Sequence, residues 1–259
     1  ALLATKSLMR KSSAEMRIRM KSTEITREQL CGMFDHTNLK AYAKREDFEI
    51  LCREARENHF AMVAINPSPV SLCKQLLEGS GVHVGAAISF PLGQETIEMK
   101  VAAAKQAILD GANEIDYVVN LGEIKNLNWN YIEREMSGMV TLCREENVIS
   151  KVIFEICYLS EQEIVRLAQI AGKVLPDYIK TSTGFGTCGA IAETVRLMKQ
   201  TAGEKVKVKA AGGIRDWASC AAMIDAGAER IGTSSSLKIL EEFDRYVSDG
   251  KKSSALRRL

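Results

Sequence analysis

No stretch of the 259 residues stays apolar for the roughly 20 positions that a membrane-spanning helix needs, because charged residues interrupt every candidate. A soluble protein is expected, with no membrane partner. Nor does either charge dominate: 35 basic residues stand against 33 acidic ones. The composition therefore has no electrostatic footprint for nucleic acid, and a small-molecule partner is the better expectation. The seven cysteines, Cys31, Cys52, Cys73, Cys143, Cys157, Cys188 and Cys220, are odd in number and show no short paired spacing. This argues against a disulfide framework or a zinc knuckle and fits free thiols in a reducing compartment, the cytoplasm. Histidine is scarce: His36, His59 and His83 stand apart, without the short spacing of a metal site, so neither a metal nor another cofactor is expected. His59 and His83 read as packing or surface residues, and His36 as at most a neighbour of a site. A GxGxxG turn is also missing after the early strands.

What is present is a 46% hydrophobic chain long enough for a substantial single core. Residues 1–25 are basic and acid-poor, with Lys6, Arg10, Lys11, Arg17, Arg19 and Lys21 outnumbering Glu15 and Glu24. They read as an extra N-terminal helix or partly ordered tail. Folded structure is expected from Thr26, where Gln29 three residues on completes a capping box. Thereafter β-branched apolar runs at 33–36, 61–66, 82–89, 114–119, 151–156, 177–180, 206–210 and 230–233 alternate with helical periods at 46–58, 69–77, 96–109, 131–147, 161–171, 191–200 and 217–226. Gly-Ala follows a helix and precedes a strand both at DGANEI (110–115) and at DAGAERI (225–231), an internal echo in which glycine caps the helix. Eight such units close most economically into a (β/α)8 barrel. An open doubly wound sheet shows the same alternation, and the missing dinucleotide turn tilts the choice to the barrel. The expected division is a 1–25 extension, a 26–245 barrel and a polar 246–259 tail.

In such a barrel, chemistry lies at the carboxyl ends of the strands. The residues there are Asp35 with Thr37, Asn66, Ser89, Asp116 with Asn120, Glu155, Lys180 and Lys209, followed by the loops STGFG (182–186), AAGGIR (210–215) and GTSSS (232–236). Lysine is disfavoured inside strands and is rarely buried without a partner. Either lysine alone is most simply a paired or solvated structural residue. Two on consecutive strands each make protonation of the other harder, and a lysine of lowered pKa is a usable nucleophile able to form a Schiff base with a carbonyl. The period of two puts Lys207 and Lys209 on one face, so the pattern alone does not say which approaches Lys180; Lys209 is nearer the carboxyl end, and Lys207, one layer lower, is expected to be paired, with Glu155 as the candidate partner. Asp116 reads as a counter-ion, a proton carrier, or both. The three glycine and hydroxyl loops, with a short helix starting near Ser235, supply the parts of a phosphate site.

These residues resemble the deoxyribose-phosphate aldolase family in FDHTNLK (34–40), NEIDYVVN (113–120), DYIKTSTGFG (177–186), VKAAGGIR (208–215) and RIGTSS (230–235), in the family's order over roughly residues 28 to 242. The resemblance implies a metal-independent class I aldolase acting on a small phosphorylated sugar and an aldehyde. It implies Lys180 as the Schiff-base lysine, Lys209 as the second lysine and Asp116 as the carboxylate of a proton relay. Asp35, Thr37 and Thr181 match substrate-binding positions, and Gly184, Gly212, Gly213, Gly232, Ser234 and Ser235 match the phosphate cradle. Phe185 stands where some members carry a phosphate-touching lysine, Ala64 where some carry a cysteine, and the chain ends at Leu259 rather than in a tyrosine that reaches the site. Two other readings stay open: a lysine-imine barrel aldolase for a different phosphorylated sugar, and a non-catalytic sugar-phosphate binder. A homodimer or higher homo-oligomer is equally open.

Overall fold

Helix α1 (Arg27–Cys31) begins at the Thr26 capping box: Gln29 N–H donates to Thr26 Oγ1, and the Gln29 side chain accepts from Thr26 N–H. The computed structural model describes residues 21–256, so the expected extension lies outside it up to residue 20. After α1 come β1 (Phe34–Asn38), α2 (Arg45–Glu57), β2 (Met62–Ile65), α3 (Val70–Leu76), β3 (His83–Ile88), α4 (Ile97–Leu109) and β4 (Glu114–Val118). Helices α5 (Leu121–Lys125) and α6 (Trp129–Glu145) lead to β5 (Ile149–Ile153), a 3-10 turn (Ile156–Tyr158) and α7 (Glu161–Val174). The chain finishes with β6 (Tyr178–Lys180), α8 (Ala192–Ala202), β7 (Lys207–Ala211), α9 (Trp217–Asp225), β8 (Arg230–Thr233) and α10 (Ser236–Leu256). All strands pair in parallel in chain order and β8 closes on β1, giving the expected (β/α)8 barrel.

Strand alternation divides the core in two. Phe34, Val63, Val84, Ile115, Tyr117, Val152, Ile179, Val208 and Ile231 join the apolar cluster with the helices. The residues between them, Asp35, Glu114, Asp116, Lys151, Lys180, Lys209 and Arg230, are buried and form contacts among themselves. A barrel interior is ordinarily filled with branched apolar side chains, so a charged interior is a departure that packing does not require.

The structure departs from the sequence reading at several points. Strand β5 starts at Ile149, two residues ahead of the expected run, and stops at Ile153, three residues short of its expected end, because Glu155 adopts a left-handed backbone with φ of 54°. Helix α5 was not expected; Asn120 caps it by accepting from Glu123 N–H at 3.2 Å. The last helix runs from Ser236 through residue 245, where a tail was expected, to Leu256. Lys207 is exposed at the amino end of β7, 5.4 Å from the Tyr178 ring centroid, rather than paired with Glu155.

Candidate active site

The register of the strands builds the site. Lys180 lies beside Lys209 across β6 and β7, and Asp116 beside Lys151 across β4 and β5. Asp116 Oδ2 accepts from Lys180 Nζ at 2.8 Å and from Lys209 Nζ at 2.6 Å, while its Oδ1 accepts from Lys151 Nζ at 2.7 Å. Lys209 also lies 2.5 Å from Asp35 Oδ2, Arg230 binds Asp35 Oδ1 at 2.7 Å and Glu114 at 3.2 Å, and Lys151 contacts Glu114 as well. Four cations are thus linked to three carboxylates. Burying net charge is costly, so this network is neutral only if one cation gives up its proton.

Lys180 is the cation that gives up its proton most readily. Burial is the largest influence and takes its pKa from 10.5 to about 8; Asp116 opposes this, and Lys209 and Lys151 assist. Lys180 has a single carboxylate contact and shares that oxygen with Lys209. Lys151 keeps its proton: burial works against it, but Asp116, Glu114 and Asp35 raise its pKa above the ordinary lysine value. Burial would also raise the Asp116 carboxyl, yet Lys151, then Lys180 and Lys209, hold it well below the usual carboxylate range.

Above this network is a cavity of about 450 Å³ reached by Lys180 and Asp116. Ala64, Ala87 and Phe90 form its apolar wall, with Lys180 Nζ 5.0 Å from the Phe90 ring centroid. The opposite end is polar and glycine-rich, lined by Thr183, Gly184, Gly212, Gly213, Gly232 and Ser234. Gly212 and Gly213 are both left-handed, with φ of 92° and 76°, a succession that side chains resist. At Gly232 a Cβ would lie 3.1 Å from Lys209 Cε and 2.9 Å from Ala211 Cβ, so glycine there leaves room for the second lysine. The Thr233 hydroxyl donates to Ile214 O at 2.6 Å and accepts from Ser235 N–H at 2.9 Å, joining the loops after β7 and β8 at the start of α10. A helix N-terminus beside backbone turns is suited to an anion.

The sequence-predicted residues do not all reach the cavity. Thr37 lines it, whereas Asp35 is fully buried beneath it and holds Lys209 and Arg230. Thr181 is buried as well: its hydroxyl donates to Ala211 O at 2.9 Å and accepts from Ala211 N–H at 3.0 Å. Ser235 sits behind Ser234 and does not line the cavity. His36 contacts Ser236 Oγ at 3.0 Å and Glu54 at 2.9 Å. Glu155, expected to pair with Lys207, accepts instead from the Thr183 backbone N–H and hydroxyl, which fixes the loop after β6.

Several contributors were missed by sequence reasoning. Lys151, Glu114 and Arg230 lie on inward strand positions, but their partners become visible only with the register. Lys40 and Arg215 also line the cavity and supply cations where Phe185 does not. Outside the barrel, Lys100 donates to Gly93 O at 2.8 Å and Val118 O at 2.7 Å and pairs with Glu135 at 2.5 Å, and Glu135 accepts from Asn120 N–H at 3.0 Å. This buried ion pair ties the loop after Phe90 to the end of the strand that carries Asp116. Among the described residues, no group of three or more His, Cys, Asp or Glu side chains is placed to hold a metal ion, and no helix is long and apolar enough to cross a membrane.

Comparison with known proteins agrees with this geometry. Residues 30–242 match the model of the DeoC/LacD family aldolases. The chain is 52% identical over 224 residues to a deoxyribose-phosphate aldolase of Lactobacillus acidophilus, covering 86% of this chain and 94% of that one. It is 50% identical over 216 residues to one from Bacteroides thetaiotaomicron, covering 83% and 91%. The solved structure of a tetrameric deoxyribose phosphate aldolase from Aeropyrum pernix superposes with a TM-score of 0.79 at 34% identity, covering 85% of this chain and 92% of that one.

Proposed function

We infer the reaction from a premise that the comparisons supply: the chain belongs to the DeoC/LacD family of aldolases. It is a class I aldolase that reversibly cleaves 2-deoxy-D-ribose 5-phosphate to D-glyceraldehyde 3-phosphate and acetaldehyde. One observation carries the chemistry: a buried amine, Lys180 Nζ, opens onto the cavity with a pKa of about 8.

In this mechanism the neutral Lys180 amine attacks the aldehyde carbon of the open-chain sugar, and loss of water from the carbinolamine leaves a protonated imine. The imine withdraws electrons from the C2–C3 bond. When the C3 hydroxyl loses its proton, that bond breaks, releasing D-glyceraldehyde 3-phosphate and leaving an enamine on Lys180. Protonation at the enamine carbon and hydrolysis free acetaldehyde and the amine. Each transfer needs a proton carrier. Asp116, held as an anion by three lysines, is a poor resting base on its own. We assign it to holding the Lys180 and Lys209 amino groups on one oxygen, which keeps the Lys209 charge beside Lys180, while water exchanges protons with the reacting atoms. Apolar Ala64, Ala87 and Phe90 accept the two-carbon fragment, and the glycine and serine loops with Arg215 and Lys40 accept the phosphate.

Treatment with borohydride in the presence of acetaldehyde and a chelator, followed by peptide mapping, tests the assignment. An ethyl group on the Lys180 peptide is expected. Folded protein with Lys180 unmodified would overturn the imine reading. The phosphate end has its own test: Phe185, which is 54% exposed on the cavity rim, is replaced by lysine. An exposed charge pair is worth about 1 kcal/mol or less, so KM for the phosphorylated sugar is expected to fall up to roughly fivefold with kcat unchanged. An unaltered KM would place the phosphate elsewhere.

We further propose a homo-oligomer, after the tetrameric relative, and a cytoplasmic location, consistent with seven cysteines that are all free thiols.

A further inference from the structure

Lys100 on α4 and Glu135 on α6 carry charges that the imine chemistry does not use, and both side chains are fully shielded from solvent. A buried ion pair loses hydration on both partners and is often no more stabilising than apolar side chains of the same volume, so stability does not account for this one. What the pair does is join three backbone segments. Lys100 Nζ donates to Gly93 O on the loop after β3 and to Val118 O at the end of β4, and Glu135 accepts from Lys100 on one oxygen and from Asn120 N–H on the other. Gly93 is where that loop is seated. Of residues 91–96 it alone is buried, its backbone is left-handed with φ of 66°, and a Cβ on it would lie 2.2 Å from Val119 O. Its N–H donates back to Ser89 O at 2.8 Å, which closes a turn around Phe90. Phe90 belongs to the apolar wall of the cavity, with its ring centroid 5.0 Å from Lys180 Nζ. The wall and the strand that carries Asp116 therefore share one anchor.

We propose that Lys100 and Glu135 are positioning residues that seat the Gly93 turn on β4, hold Phe90 against Lys180, and so make the cavity select acetaldehyde over longer unbranched aldehydes. A wall this close to the nucleophile meets the carbon chain of the aldehyde bound there. In an apolar pocket one methylene more or less changes discrimination by about 10- to 200-fold, so a wall that shifts gives up part of that factor. Neither residue touches the substrate; each acts through the backbone that carries Phe90. This inference rests on the imine reading of the preceding section and adds to it what sets the choice of aldehyde.

The test is borohydride trapping on Lys180 in the whole protein, titrated with acetaldehyde and separately with propanal. The parent is expected to half-saturate at a lower concentration of acetaldehyde than of propanal. Lys100→Met/Glu135→Gln removes both charges while keeping an acceptor for Asn120 N–H. In this variant the half-saturating concentration of acetaldehyde is expected to rise about fivefold and that of propanal to stay within twofold, with the extent of modification at saturation unchanged. Gly93→Ala drives a methyl group against Val119 O without disturbing the buried charges, and it is expected to shift the preference in the same direction. If the double variant does not fold, Gly93→Ala alone decides. A role in stability only would lower the extent of modification for both aldehydes alike and leave their ratio unmoved, and that result, or an unchanged preference in folded variants, would overturn the proposal. Failure of the imine reading would show differently, as a parent protein with no adduct on Lys180 from either aldehyde.

Discussion

Lys180→Met is expected to lower kcat/KM for 2-deoxy-D-ribose 5-phosphate cleavage by about 10⁴-fold or more while leaving the protein folded and at least as heat-stable as the parent. The two halves of this expectation come from the same charge count. Without its amine the cavity has no nucleophile at the position where the strand ends meet, and positioning alone cannot replace a covalent route. Methionine fills similar space with a flexible apolar chain, and it leaves Lys151, Lys209 and Arg230 facing Asp35, Glu114 and Asp116. The interior is then neutral without any group giving up a proton. Replacing a buried ion by an apolar side chain of similar volume is often neutral or stabilising, by about 1–4 kcal/mol where it helps. A thermal melt beside a cleavage assay decides the matter. Activity within a factor of ten of the parent would move the nucleophile elsewhere, and a collapsed melting temperature would refute the charge count.

That count also explains what could be read before the structure. The barrel was legible because β-branched runs of period two alternate with helical periods and because glycine ends the helices before β4 and β8. Lys180, Lys209 and Asp116 were legible because charged residues at strand ends conflict with the apolar runs that precede them. Lys151 conflicts with its strand just as strongly, but its reason lies in the register with Asp116 and in a contact to Glu114 across 37 positions of chain. Arg230 meets Glu114 across 116 positions, a juxtaposition made only when β8 closes the barrel. Lys207 was misplaced because period two gives the face of a strand and not the depth: it shares the face of Lys209 but opens to solvent at the amino end. The end of β5 was misread because the apolar run continues through Phe154 while the backbone turns at Glu155.

The second large effect separates two roles that Lys209 could play, and it is read from a pH profile. In the parent, the fall of the Lys180 pKa from 10.5 to about 8 multiplies the neutral amine at pH 7 by roughly 300. Because the deprotonated amine is the nucleophile, kcat/KM should rise with pH and level off above about 8. Lys209→Met removes a different cation from the same network, so Lys151, Arg230 and a protonated Lys180 then balance the three carboxylates. Asp116 Oδ2 also becomes free to serve Lys180 alone. Both changes favour the charged amine. The rising limb is therefore expected to move up by about 1–2 pH units and activity at pH 7 to fall by about 10- to 100-fold, with much of the loss recovered at high pH. Borohydride trapping of acetaldehyde on Lys180 should show the same recovery. A loss that is equal at every pH, with the limb unmoved, would mean that Lys209 acts on the reacting atoms directly, as a proton carrier, and that burial alone sets the reactivity of Lys180.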